Sequence, residues 1–151
     1  MNVTFKVIAT VRNEVALQKD CGWGKDCSSI VVNEEYRQGL TGLRQFSHII
    51  VVFYLDQARF DPALHLVRRP HERDDLPLVG ILAQRSKDRP NPIGITAVRL
   101  LDVTDNTITV QGLDAIDGTP VLDIKPYYPK YDCRPDATVP EWVDDLMKNY
   151  F

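Results

Sequence analysis

All ten prolines of this 151-residue chain stand at or after residue 62. Proline has no backbone N–H and cannot donate to a sheet ladder, so the rear must be built of short elements separated by rigid turns. The proline-free front is open to continuous strands. Val3, Phe5, Val7, Ala9 and Val11 alternate with Thr4, Lys6 and Thr10, which predicts a half-buried strand over 3–11. Ile30–Val32 predicts a short second strand, and Ile49–Leu55, apolar on both faces, a central one. Leu78–Gln84, Gly94–Val103, Thr107–Leu113 and Pro120–Lys125 bring the predicted strands to seven. Asp117-Gly118 accepts positive φ and predicts a tight hairpin between the last two; Asp105-Asn106 is a weaker turn signal between the two before them. A meander of this kind closes into an antiparallel barrel or a sandwich.

Tyr36, Leu40 and Leu43 have helical spacing, but Gly39 and Gly42 limit them to a short turn. Near the end, Thr138-Val139-Pro140-Glu141 predicts a helix capped by Thr138. Its stripe of Trp142, Leu146 and Tyr150 must cover something, either the barrel or a partner across a dimer.

Composition excludes several classes. With 18 basic against 21 acidic side chains the net charge is −3, which argues against nonspecific coating of nucleic acid but leaves room for a local basic patch. A chain of this length buries roughly 68–70% of its unfolded surface, so one domain can hold a core without disulfides or metal. Cys21, Cys27 and Cys133 lack zinc-knuckle spacing and read as reduced thiols, and no metal site is expected. The longest apolar run, Ile49–Leu55, is far below the roughly 18 residues of a membrane span, and the start carries no signal-like tract. The expected location is the cytoplasm. Neither G-x-G-x-x-G, a Walker loop nor G-x-S-x-G is present, so dinucleotide, nucleoside-triphosphate and serine-hydrolase chemistries have no support.

The stretch Gln84-Arg85-Ser86-Lys87-Asp88-Arg89-Pro90-Asn91-Pro92-Ile93-Gly94 is the most unusual. Two prolines stiffen the backbone around Asn91, whose amide can donate and accept as a purine edge requires. Arg85 and Arg89 add fixed positive charge suited to carboxylate or phosphate. In Gly112–Tyr127, Asp114 sits where a strand gives way to a turn, open to ligands. Asp123 and Lys125 share a strand face, as a buried pair or the lining of a polar cleft. His65, Arg68, Arg69, His71 and Arg73 form a candidate phosphate-contacting loop, partly cancelled by Asp74 and Asp75. His48, at the mouth of the central strand, is either a base or a hydrogen-bonded core residue.

Together with Gly39-Leu-Thr-Gly-Leu-Arg-Gln-Phe-Ser-His-Ile49, the motifs Arg89-Pro-Asn-Pro-Ile-Gly94 and Asp117-Gly-Thr-Pro-Val-Leu-Asp-Ile-Lys-Pro-Tyr127 resemble the TsaA-like family, also called TrmO or YaeB-like. The likeness runs from about Val7 to Asp132. It implies a small antiparallel β-barrel with a short C-terminal helix that binds S-adenosylmethionine without a Rossmann fold. It also implies a homodimer with the cofactor near the subunit interface, and methylation of N6 of N6-threonylcarbamoyladenosine beside the anticodon of tRNA. By the same resemblance Asp56, Gln57, Arg85, Ile95, Gly112, Leu113 and Asp114 line the cofactor site. Arg89, Asn91, Lys125 and Tyr127, with Arg68 and Arg69, fall on the tRNA side or support the site. Gln84 stands for a common threonine, Lys87 for a common proline and Asp56 for a frequent histidine. The chain is similar to short archaeal-type members without an added C-terminal domain, which leaves open a different acceptor or a regulatory S-adenosylmethionine-binding role.

Methyl transfer needs alignment of nucleophile and leaving group rather than a covalent enzyme intermediate. The N6 of a threonylcarbamoyl group is a weak, urea-like nucleophile that must lose a proton. His48 and Asp123 are therefore the candidate general bases.

Overall fold

A computed structural model describes residues 1–151. Eight strands form: β1 (Ala9–Arg12), β2 (Cys27–Val32), β3 (His48–Tyr54), β4 (Val67–Arg68), β5 (Val79–Gly80), β6 (Ile93–Thr104), β7 (Thr107–Gln111) and β8 (Pro120–Pro126). Six close into an antiparallel barrel in the order β1-β2-β7-β6-β3-β8, and β4 pairs with β5 as a separate ribbon. Three helices follow the strand pattern: one-turn α1 (Pro62–His65) and α2 (Pro129–Asp132), and α3 (Glu141–Met147).

Period-two alternation builds the core. Val11, Ile30, Ile49, Val51, Val98, Ile108, Val110 and Val121 point inward and are fully buried or nearly so. Most are β-branched and fit a pleated, closed sheet. Phe53 is the largest of the inward residues, and Gly94 lies directly across from it on β6. A Cβ at Gly94 would lie 2.4 Å from two atoms of the Phe53 ring, so the glycine is the space the ring occupies. Gly94→Ala is expected to cost about 1–3 kcal/mol through overpacking, read as a lower urea midpoint.

The central strand is as expected: β3 pairs with β6 on one side and β8 on the other. Tyr36, Leu40 and Leu43 pack on the core from two short 3-10 turns, Glu34–Leu40 and Leu43–Gln45. Four expectations are corrected. The strand expected over 3–11 is paired only from Ala9, and Val3, Phe5 and Val7 are exposed. Beyond Val121, β8 pairs with β3 but not with β1, so the front residues have no ladder partner. The strand expected over Leu78–Gln84 is two residues of ribbon followed by a 3-10 turn, Ile81–Ala83. The barrel closes without it, and Leu78 and Leu82 stay exposed.

The third correction concerns Asp117-Gly118, which turns the chain but joins no hairpin, because β7 and β8 are not neighbours. Gly112, at φ 88°, instead sends the chain across the barrel end past β2 and β1. There Leu113, Ala115 and Ile116 are buried, and the Asn13 side chain donates to the Ala115 carbonyl at 2.8 Å. The true hairpin is β6–β7, turning at Asp105 with φ 52°. Finally, α3 starts at Glu141 with Pro140 in the cap position, and Thr138 makes no cap.

Candidate functional site

A β-bulge decides which side chains reach the outer face of the β6-β3-β8 sheet. Val121 pairs with Phe53 and Asp123 with Val52, leaving Leu122 as the extra residue. Without that insertion, alternation from the inward Val121 would turn Asp123 into the core. With it, Ile124 packs inward, and Asp123 and Lys125 emerge outside opposite Val52 and Ile50. Register places His48, Ile95 and Ala97 on the same outer face. His48, Ile95, Asp123 and Lys125, scattered over almost eighty positions of sequence, thus share one surface.

Asp123 and Lys125 pair at 2.6 Å, but in the open rather than buried. The bond to Asp123 raises the pKa of Lys125, so the ammonium stays charged. Tyr127 follows on the same strand end, its amide donating to the His48 carbonyl at 3.1 Å. Phe46, His48, Ala97, Tyr127, Tyr128 and Tyr131 line an open cavity of about 910 Å³. The Phe46 and Tyr128 rings lie 6.0 Å apart and those of His48 and Tyr127 6.3 Å apart, within stacking range. His48 is exposed, with Nδ1 2.8 Å from Ser47 Oγ, so it is not the core histidine that was one expectation.

A second cluster sits beside the first along β6. Arg85 donates to the Ile95 carbonyl at 2.7 Å. The next residue, Thr96, is buried and donates through its hydroxyl to Asp114 Oδ1. The hydroxyl of Tyr150 donates to Asp114 Oδ2 at 2.5 Å. Burial first, then the Asp114 carboxylate, raises the phenol pKa, so Tyr150 keeps its proton as a donor. Gly112 and Leu113 lead into Asp114, and the buried Leu113 anchors the turn that presents it. Ile95, half exposed, and Ala97 are two residues apart on one face, about 7 Å along the strand. Thr96 between them points the other way, into the barrel, so the Arg85 contact borders the cavity along β6 while Asp114 lies on the inner side of the strand.

The proline loop is braced by its own side chains. Arg89 donates to the Gln84 carbonyl at 3.1 Å, and the buried Gln84 amide donates to the carbonyls of Arg68 and Val79. Burial works against the Asp88 charge, but the Arg59 amide, Lys87 and Arg68 outweigh it and lower its pKa. Asp56 and Gln57 form an exposed turn against the same loop, Leu55 donating to the Pro92 carbonyl at 2.8 Å. Asn91 is exposed at the tip.

The loop expected to contact phosphate presents little free charge. Arg68 bonds Ser86 and lies 3.8 Å from Asp88, and Arg69 bonds the Leu76 carbonyl. Arg73 is shared between Asp75 and Asp145. Sequence reasoning did not find Thr96 or the aromatic wall of Phe46, Tyr128 and Tyr131, and it read Tyr150 only as part of a helix stripe. The one available signal for Thr96 was its inward parity with Val98.

The family described as tRNA-methyltransferase O N-terminal domain matches residues 12–133. An S-adenosyl-L-methionine-binding protein of Archaeoglobus fulgidus is 39% identical over 85% of this chain and 92% of its own length. A human tRNA (adenine(37)-N6)-methyltransferase is 36% identical over 85% of this chain, which spans 29% of that enzyme. A Pyrococcus abyssi relative is 37% identical over 77% of this chain, which spans 60% of it. The structure of TrmO from P. aeruginosa superposes with a TM-score of 0.76 at 27% identity, over 94% of this chain and 62% of that one. With this barrel, these motifs and these matches, the chain belongs to the tRNA-methyltransferase O N-terminal domain family.

Proposed function

We propose that this chain is an S-adenosylmethionine-dependent methyltransferase that methylates N6 of N6-threonylcarbamoyladenosine beside the anticodon of tRNA. The observation that supports the reading is that the Ile95 carbonyl, held by Arg85, and Ala97, which lines the aromatic cavity, are two residues apart on one strand, with Thr96 between them bonded to Asp114 on its inner side. The names of the Archaeoglobus fulgidus and Pyrococcus abyssi relatives give S-adenosyl-L-methionine as what those proteins bind.

The residues fit S-adenosylmethionine. Its ribose diol and ammonium are donors, and Asp114 is a carboxylate acceptor tied down by the buried Thr96. Its carboxylate needs a cation, and the Arg85 guanidinium is held against β6. Its apolar portions find the exposed Ile95. Gly112 and Leu113 form the backbone wall, and Asp56 and Gln57 close the side facing the proline loop. When bound, the cofactor supplies an electrophilic methyl carbon, whose bond to sulfur breaks as N6 bonds to it.

On the acceptor side, Phe46, Tyr127, Tyr128 and Tyr131 offer faces for stacking an unpaired base. Asn91 and Lys125 stand as polar contacts to the RNA, Arg89 as a brace of the loop, and Arg68 and Arg69 act there only by giving up their internal partners. In the tautomer whose Nδ1–H donates to Ser47 Oγ, His48 leaves Nε2 unprotonated to take the N6 proton. Asp123 is paired with Lys125 and serves better to hold that lysine. The reading includes a second copy of the chain beside the cofactor site, where Tyr54, Ile93 and Ile95 are exposed.

Labelled S-adenosylmethionine is mixed with purified protein and total tRNA, with and without the threonylcarbamoyl group, and the product nucleoside is identified by mass spectrometry. Label in modified tRNA alone is expected; label in neither, with cofactor binding shown separately, rejects the acceptor. His48→Ala is expected to lower the single-turnover rate at least tenfold, and a smaller effect removes the histidine as base.

A further inference from the structure

We infer that Asn149–Phe151 is a latch closed over Asp114, the acceptor of the cofactor reading above, and that S-adenosylmethionine enters by displacing it. The inference rests on the cofactor reading above and adds a device that controls the same pocket.

The tip of the segment is held specifically. Gly22 and Trp23 donate their amides to the carbonyls of Asn149 and Tyr150, each at 2.9 Å. The Tyr150 hydroxyl occupies Asp114 Oδ2. Phe151 packs its backbone onto Gly24, where a Cβ would meet the Phe151 carbonyl carbon at 2.6 Å. A phenol and a ribose hydroxyl are equivalent donors to a carboxylate, so the latch fills the place of the ligand group that Asp114 is suited to receive.

The residues leading to the tip are more lightly held, with Trp142, Val143 and Leu146 of α3 only half-buried. No residue of α3 is buried, and Cys133–Pro140, which tethers it, is exposed throughout. Its ion pair, Asp145 with Arg73 at 2.8 Å, joins partly exposed side chains and contributes little. An element with few buried contacts and an exposed tether belongs to the part of a fold that opens locally. The apparent affinity of a ligand that binds only the open form is reduced by the open fraction, so loosening the latch tightens binding.

Two variants open the latch from different sides, and isothermal titration with S-adenosylmethionine reads both. Tyr150→Phe removes the hydrogen bond to Asp114, and Gly24→Ala drives Phe151 away without touching Asp114 or the phenol. Each is expected to bind the cofactor about tenfold more tightly than the wild type. In the wild type, adding the cofactor is expected to speed hydrogen exchange at the Gly22 and Trp23 amides, the opposite of ordinary ligand protection. Unchanged or weaker binding in both variants, or slower exchange at those amides, overturns the latch. If that happens while Asp114→Ala loses binding, the latch alone falls. If Asp114→Ala made in the Tyr150→Phe background binds as Tyr150→Phe alone does, the cofactor lies elsewhere and the functional reading falls with it.

Discussion

Asp114→Ala made in the Tyr150→Phe background, where the latch is already open, is expected to weaken S-adenosylmethionine binding by about 10- to 140-fold while the barrel stays folded. The carboxylate is the one acidic acceptor in the cluster, fixed by Thr96 on one oxygen and Tyr150 on the other. A hydrogen bond to a charged group contributes about 1.5–3 kcal/mol, and 1.4 kcal/mol is tenfold in affinity. The Tyr150→Phe background removes the latch's own bond to Asp114 from both members of the comparison, so the loss reads the acceptor alone. The barrel survives because the inward residues of β3, β6 and β8 do not rely on Asp114, although the buried Thr96 hydroxyl loses its partner at a cost of about 1–3 kcal/mol. Titration calorimetry alongside thermal unfolding separates the two effects. A dissociation constant within threefold of that of Tyr150→Phe alone removes Asp114 from the site.

Phe53→Ala has the largest expected effect on stability, about 3–5 kcal/mol. The ring is 2% exposed at the heart of the barrel, and its loss leaves a cavity that strands tied on both sides cannot collapse to fill. Since a domain is typically stable by about 5–15 kcal/mol, this is a large share, and the melting temperature should fall on the order of 10 °C. A double-mutant cycle sharpens the test. The atoms that a Cβ at Gly94 would strike all belong to the Phe53 ring. In the Phe53→Ala background Gly94→Ala should therefore lose most of its penalty and partly refill the cavity. Additive penalties would mean that Gly94 is required for its backbone and not for the ring.

Several elements were legible from local chemistry alone. The alternation of Ile108 and Val110 with Thr107 and Thr109 dictates a strand with one buried face, and the unbroken apolar run Ile49–Leu55 a central strand, wherever partners exist. The proline loop is rigid because Pro90 and Pro92 restrict their own backbones, whatever surrounds them. Where local signals failed, a partner was missing or a different one won. Val3, Phe5 and Val7 alternate as well as any strand, but β8 turns to β3 and leaves them unpaired. Asp117-Gly118 is a good turn, yet burial of Leu113, Ala115 and Ile116 across the barrel end decided that it would join strands that are not neighbours.

The site divides in the same way. Sequence by itself determined the residue types that the proposed chemistry calls on: a carboxylate at Asp114, cations at Arg85 and Arg89, an imidazole at His48, all within or beside distinctive motifs. Which of them face one another was left to the closed barrel. Register across β3, one extra residue at Leu122 and the crossing turn at Gly112 set the outer face and the place of Asp114, and each depends on hydrogen bonds between segments far apart in the chain. Tyr150 shows the division most plainly. Its spacing in the chain predicts an apolar stripe, and only the folded chain, by clipping residues 149 and 150 to the amides of Gly22 and Trp23, brings its hydroxyl to the carboxylate of Asp114.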